Sequence, residues 1–144
     1  MAGRVVALDY GRRRIGVAAT DPSRTIASPH VAIRNADPPT EPPTGLLNLL
    51  RDLAPAVVVV GVPVNMDGTA GEMASEARRF ASRLAALSGL EVVQRDERLT
   101  SYEATEMIRE MALPARKRRE KGLKDMLAAT LLLREYLAER DGGQ

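Results

Sequence analysis

The sequence predicts an α/β domain on one five-stranded mixed sheet, and three observations carry that expectation. Val5 to Leu8 and Ile15 to Ala19 are short strand-like runs separated by Asp9-Tyr10-Gly11, which reads as a hairpin. Val57 to Val60 is a continuous β-branched run of the kind found in strands buried on both faces. Beyond Gly45, helical and strand spacings alternate, the pattern of crossovers that give parallel strands. A chain of 144 residues with 44% hydrophobic residues can fill one core, so residues 1–144 are expected to form a single domain.

Each element follows from local pattern. In the second strand Ile15, Val17 and Ala19 alternate with Gly16, Ala18 and Thr20. Asp21-Pro22-Ser23 is a turn, and Thr25 to Ile33 is a third strand that Pro29 assigns to the sheet edge. Asn35 to Gly45 carries four prolines and reads as an exposed loop. Leu46, Leu49, Leu50 and Leu53 recur at helical spacing ahead of the Val57 strand. The next helix is expected to open on a capping box, Thr69 with Glu72. It carries Met73, Ala77, Phe80, Leu84 and Leu87 on one face and stops at Gly89. Leu90 to Val93 returns to strand. A second box, Thr100 with Glu103, starts a helix bearing Ala104, Met107, Ile108 and Met111, which Pro114 ends. A last helix spans Leu123 to Ala138. Right-handed crossovers then bring the ends of the strands from Val5, Val57 and Leu90 to one sheet edge, where sites form in such folds.

Composition removes several kinds of chemistry. There is no cysteine and one histidine, His30, read as a surface residue; thiolate sites and disulfides are excluded, and His-based triads nearly so. Any metal must be held by oxygen. The longest apolar stretch, around Ala56 to Val60, is far short of the ~18 residues of a membrane span. No signal-peptide core opens the chain, so a cytoplasmic protein without a membrane partner is expected. The net charge is +2, but Arg12, Arg13 and Arg14 form one basic run, and Arg116, Lys117, Arg118, Arg119, Lys121 and Lys124 form a second. Such runs suit phosphate binding or are simply solvated loops. With aromatics at 3%, backbone contact is favoured over base stacking.

Asp9 follows the first strand and Asp96-Glu97 follows the last, so a parallel sheet places them on one edge. Taken singly, such acids also serve as turn formers and caps. Asp125 shares a helix face with Ala128, Ala129 and Leu132, the face that must pack on the sheet. A carboxylate there needs a partner or a cation, although an acid favoured by the helix dipole is the structural alternative. Three carboxylates gathered on that edge would hold two hard divalent ions roughly 4 Å apart, the arrangement that hydrolyses phosphodiesters.

Ala7-Leu8-Asp9-Tyr10-Gly11 with Ile15-Gly16-Val17-Ala18 is the first of four motifs that together resemble the YqgF/RuvX family. The others are Val60-Gly61-Val62-Pro63-Val64-Asn65-Met66-Asp67-Gly68-Thr69, Asp96-Glu97-Arg98-Leu99-Thr100, and Asp125 with Ala128-Ala129. They arrive in order over nearly the whole chain. The resemblance implies a ribonuclease H-like fold, a hydrolase dependent on Mg²⁺ or Mn²⁺, and Asp9, Glu97 and Asp125 as catalytic and metal-holding acids. It further implies a nuclease maturing the 5′ end of precursor 16S rRNA, or a Holliday junction resolvase.

Expected partners are structured RNA within ribosomal precursor particles, or branched DNA. A junction resolvase needs two active sites and hence a homodimer. Substrate contact is expected of Arg13, Asn65, Arg98, Arg118, Arg119, Lys121 and Lys124, with a simple Asn-Asp-Gly turn the alternative at Asn65. Two other readings stand beside the nuclease. The Asp-x-Gly hairpin also resembles the phosphate-binding hairpin of actin-like ATPases and sugar kinases, which need two lobes where this chain offers one. The other is a catalytically silent RNA-binding module, against which the presence of all three acids weighs.

Overall fold

A computed structural model describes residues 3–63, 71–97, 100–110 and 122–142. In chain order these form β1 (Val5–Asp9), β2 (Arg14–Thr20), β3 (Ala27–Arg34), α1 (Thr44–Leu53), β4 (Val57–Val62), α2 (Glu72–Ser88), β5 (Glu91–Asp96), α3 (Thr100–Glu110) and α4 (Leu123–Gly142). The strands make one sheet in the order β3-β2-β1-β4-β5. β2 runs antiparallel to both β1 and β3, while β4 runs parallel to both β1 and β5. The C-terminal ends of β1, β4 and β5 therefore share one edge.

β3 takes the sheet edge, as Pro29 predicts. Pro29 lies opposite Ala18 beside the register shift between Val17 and Ala18, where a residue without an N–H interrupts the ladder at little cost. His30 is exposed on this strand.

Alternation along the strands gives the sheet two unlike faces. Val6, Leu8, Ile15, Val17, Val58, Val60 and Val62 turn to one side, where Leu46 and Leu50 of α1 and Phe80 and Leu84 of α2 cover them. Val5, Ala7, Ala18, Val57 and Val59 turn to the other, under Ala129, Leu132, Leu133 and Tyr136 of α4. α3 packs on α4 through Ala104, Leu127 and Ala128. Every residue of β4 is buried, which is why it reads as unbroken valine.

The second helix corrects the sequence reading twice. α2 begins at Glu72 with Gly71 as its N-cap and no side-chain cap bond; the Ser75 N–H donates to the Gly71 carbonyl at 3.1 Å instead. The expected Thr69–Glu72 box is therefore not its start, and Thr69 itself lies outside the described residues. Leu87 is 46% exposed, and the buried stripe is Ala74, Ala77, Phe80, Ala81 and Leu84. Leu87 has the right angular position, but it sits in the last turn before left-handed Gly89 swings the chain into β5. Helix α3 starts at Thr100 as expected, whereas Met111 and Pro114 at its anticipated end lie outside the described residues. Among the described residues no helix is long and apolar enough to cross a membrane.

Candidate active site

The site is built around the last residue of β1. Asp9 lies directly opposite Gly16 of β2 and Gly61 of β4, so a glycine flanks it on each side. With Val6 and Leu8 turned toward α1 and α2, alternation points Asp9, like Val5 and Ala7, toward α4.

Gly61 clears room for the Glu97 carboxyl, and Gly16 clears room for the backbone of α4 at Asp125. A Cβ on Gly61 would fall 2.5 Å from Cδ and 2.9 Å from Oε1 of Glu97, so the Glu97 carboxyl lies over the bare Gly61 backbone. A Cβ on Gly16 would strike the backbone carbonyl of Asp125 and stand 2.8 Å from the N of Met126. The first turn of α4 thus rests on Gly16, and it can do so because that position has no side chain.

Glu97 enters the site from the end of β5. Its N–H donates to the Val62 carbonyl at 3.2 Å, continuing the β4–β5 ladder one step past Asp96, and only 7% of the residue is exposed. Asp9 and Glu97 are joined by a side-chain hydrogen bond. Two carboxyl groups can meet in this way only by sharing a proton, or by sharing a cation in its place. Burial pushes the Asp9 carboxyl up to about 6; the Glu97 hydrogen bond draws it down, the Asp125 charge raises it, and the Lys124 ammonium lowers it.

Asp125 is the third acid and stands slightly apart. It lies in the first turn of α4, where its Oδ2 accepts a hydrogen bond from Nε of Arg14 at 3.2 Å, with 27% of its side chain exposed. Its charge reaches Asp9, yet its carboxylate is turned to the guanidinium. Among the described residues, no three His, Cys, Asp or Glu side chains stand as a ready set of metal ligands. The donor chemistry nevertheless fits a hard divalent cation. Asp9 and Glu97 offer only oxygen donors, pressed together where desolvation penalises negative charge. Asp125 stands beside them, held by Arg14.

The turn after Asp9 is anchored on both sides. Tyr10 turns the opposite way, packs on Phe80 with ring centroids 5.1 Å apart, and donates from Oη to Oε1 of Glu76 at 3.2 Å. Burial pushes the Tyr10 phenol up to about 12, so it remains a donor. Arg12 reaches the same Glu76, its Nη2 standing 2.6 Å from Oε2. On the other flank Asn35 donates from Nδ2 to the Gly11 carbonyl at 2.7 Å and from its backbone N–H to the Arg13 carbonyl at 2.8 Å. These contacts fix the chain beside Asp9 without using Asp9 itself.

Of the residues expected to touch substrate, Arg13 is exposed on the β1–β2 turn and Lys124 is exposed one position before Asp125. Asn65, Arg98, Arg118, Arg119 and Lys121 lie outside the described residues. Sequence reasoning missed the clearing role of Gly16 and Gly61, the Arg14–Asp125 pair and the Asn35 clamp. A lone glycine inside a strand pattern is a recognised mark of close approach, and it was the available signal for the first of these.

Comparison with known proteins agrees with this architecture. Residues 3–139 match the family described as "RuvX: Holliday junction resolvase". A protein of Endomicrobium trichonymphae named "Putative pre-16S rRNA nuclease" is 39% identical over 134 residues, covering 93% of this chain and 94% of the relative. A protein of Opitutus terrae with the same name is 43% identical over 138 residues, 95% of this chain and 92% of that one. Among solved structures, Thermus thermophilus RuvC in complex with a Holliday junction superposes with a TM-score of 0.56 at 19% identity, covering 97% of this chain and 96% of RuvC. At that identity the likeness speaks for the fold, a RuvC-like ribonuclease H architecture.

Proposed function

The chain belongs to the RuvX Holliday junction resolvase family, and from that premise we propose that it is a divalent-metal nuclease that matures the 5′ end of precursor 16S rRNA, with Asp9, Glu97 and Asp125 as its catalytic acids. The observation that carries this reading is the register around Asp9. Two glycines flank one strand-end carboxylate, one making way for the Glu97 carboxyl and the other for the backbone at Asp125.

Asp9, Glu97 and Asp125 would hold the metal, Glu97 approaching Asp9 from the β5 side and Asp125 from the β2 side. Bound there, Mg²⁺ or Mn²⁺ ions would activate water for attack on phosphorus and stabilise the leaving 3′-oxygen. The residues of the chain supply the rest. Gly16 and Gly61 set the spacing of the acids, and Lys124 and Arg14 add positive charge where a phosphate would approach.

The name of the matched family favours one further substrate, a four-way DNA junction, whose symmetric cleavage requires a homodimer. Cleavage of a 5′-extended 16S precursor RNA and of a four-way junction, each with Mn²⁺, separates the two. Changing any one of the three acids to its amide should cost at least about a hundredfold in rate, a loss of the several kcal/mol that metal-held charge supplies. Substantial activity in any one variant removes that acid from the set. A wild type that cuts neither substrate leaves a binding module.

A further inference from the structure

Beside the acids, on the β2–β3 side, lies a groove of about 670 Å³ whose lining includes Arg12, Arg13, Arg14, Arg34, Asn35 and Asp37. Its volume falls within the roughly 300–1,000 Å³ typical of ligand sites, and four of its nine described lining residues are arginines. Four arginines face a single acid of the lining. Arg12 is satisfied by Glu76 and Arg14 by Asp125. The guanidinium groups of Arg13 and Arg34 form no ion pair among the described residues, and both residues are exposed.

The backbone makes this concentration of charge a fixed feature. Arg14 of β2 lies directly opposite Arg34 of β3, a like-charge cross-strand pair that opposes sheet formation unless an anion intervenes. Asn35 then ties the two sides together, bonding the carbonyls of Gly11 and Arg13 on the β1–β2 turn from the end of β3. The backbone that carries these arginines is therefore held in place on both sides of the groove. Arg14 is its link to the site, since the same side chain that lines the groove touches Asp125.

We propose that this groove binds consecutive backbone phosphates of the nucleic-acid strand being cut, with Arg13 and Arg34 as the contacts that read charge and Arg14 as the junction with the acids. The proposal rests on the nuclease reading and extends it by assigning the strand a path along β2 and β3. Backbone contact of this kind carries no base sequence, in keeping with the scarcity of aromatic residues.

The test measures binding by the full-length Asp9→Asn protein, chosen to hold substrate without cutting it, to a fluorescent four-way DNA junction and to a 30-nucleotide RNA hairpin across a salt series. Adding Arg13→Ala and Arg34→Ala together should weaken binding about ten- to a hundredfold near 0.1 M salt. The slope of log affinity against log salt should fall by about 1.4–1.8, since each phosphate contact contributes about 0.7–0.9. The paired Arg→Lys variant keeps the charge and should keep the slope, which distinguishes a lost contact from a damaged fold. Arg51→Ala, on α1, should change neither quantity. An unchanged affinity and slope in the double alanine variant, while its parent binds, overturns the groove and leaves the nuclease reading intact. A parent that binds neither probe overturns both.

Discussion

The two faces of the sheet are made by alternate residues of the same strands, yet they obey different rules. Toward α1 and α2, β1 presents Val6 and Leu8, β4 presents Val58, Val60 and Val62, and every one is buried against leucine and phenylalanine. Toward α4, the same two strands present valine and alanine at first and then change character at their C-terminal ends, where Asp9 and Gly61 stand. One face is filled to stabilise the fold. The other gives up volume and accepts buried charge at its edge so that three acids can approach one another. A period of two lets one short strand do both, because a substitution on one face need not disturb the other.

That division can be broken from either side. The largest stability effect belongs to the packed face: Leu8→Ala empties a fully buried position and should cost about 2–5 kcal/mol. The folded fraction should cleave at the wild-type rate, which chemical denaturation and a cleavage assay on the same sample would establish. Gly16→Ala should act oppositely. Its methyl meets the backbone of α4, which no rotamer change can relieve. Displacing Asp125 by even about 1 Å should cost roughly a hundredfold in rate, with a smaller loss of stability, about 1–3 kcal/mol.

Asp9→Asn should destroy cleavage and yet raise stability. The carboxyl stands at about 6 in the folded protein, against 3.8 for the ordinary group. Between those values the folded state holds a proton that the unfolded chain has lost. The contribution of Asp9 to stability is therefore greatest below about pH 4 and falls as pH rises through 6. In chelator at pH 7.5 the asparagine variant should be more stable than wild type by on the order of 2 kcal/mol, and the difference should vanish near pH 4. Melting curves across that range check the sign. Gly61→Ala is the mildest of the series, because the atoms it meets belong to the Glu97 side chain, which can shift; a loss of about tenfold in rate is expected.

Much of this was legible in the sequence because periodicity survives folding. A short apolar run located β1, alternation located β2, continuous valine located β4, and the acids at the ends of β1 and β5 reached one edge because parallel strands must end together. Pro29 correctly placed β3 at the sheet edge. Capping was less legible. Thr69 with Glu72 has the letters of a capping box, but Gly71 serves as the N-cap, since cap choice depends on how the incoming chain approaches. The glycines flanking Asp9 could not be assigned a purpose without register, which only pairing supplies. The arginine groove combines a basic run visible at Arg12 to Arg14 with Arg34 and Asn35, some twenty residues later, and nothing local announces that they meet.

The central claim is that Asp9, Glu97 and Asp125 serve as one ligand set, and Mn²⁺ titration followed by calorimetry tests it apart from any substrate. Wild type should take up two ions per chain, and Asp9→Asn, Glu97→Gln and Asp125→Asn should each lose at least one or bind far more weakly. An Asp125→Asn protein with undiminished stoichiometry and affinity would show that Asp125 belongs to Arg14 alone, and the three-acid site would be contradicted.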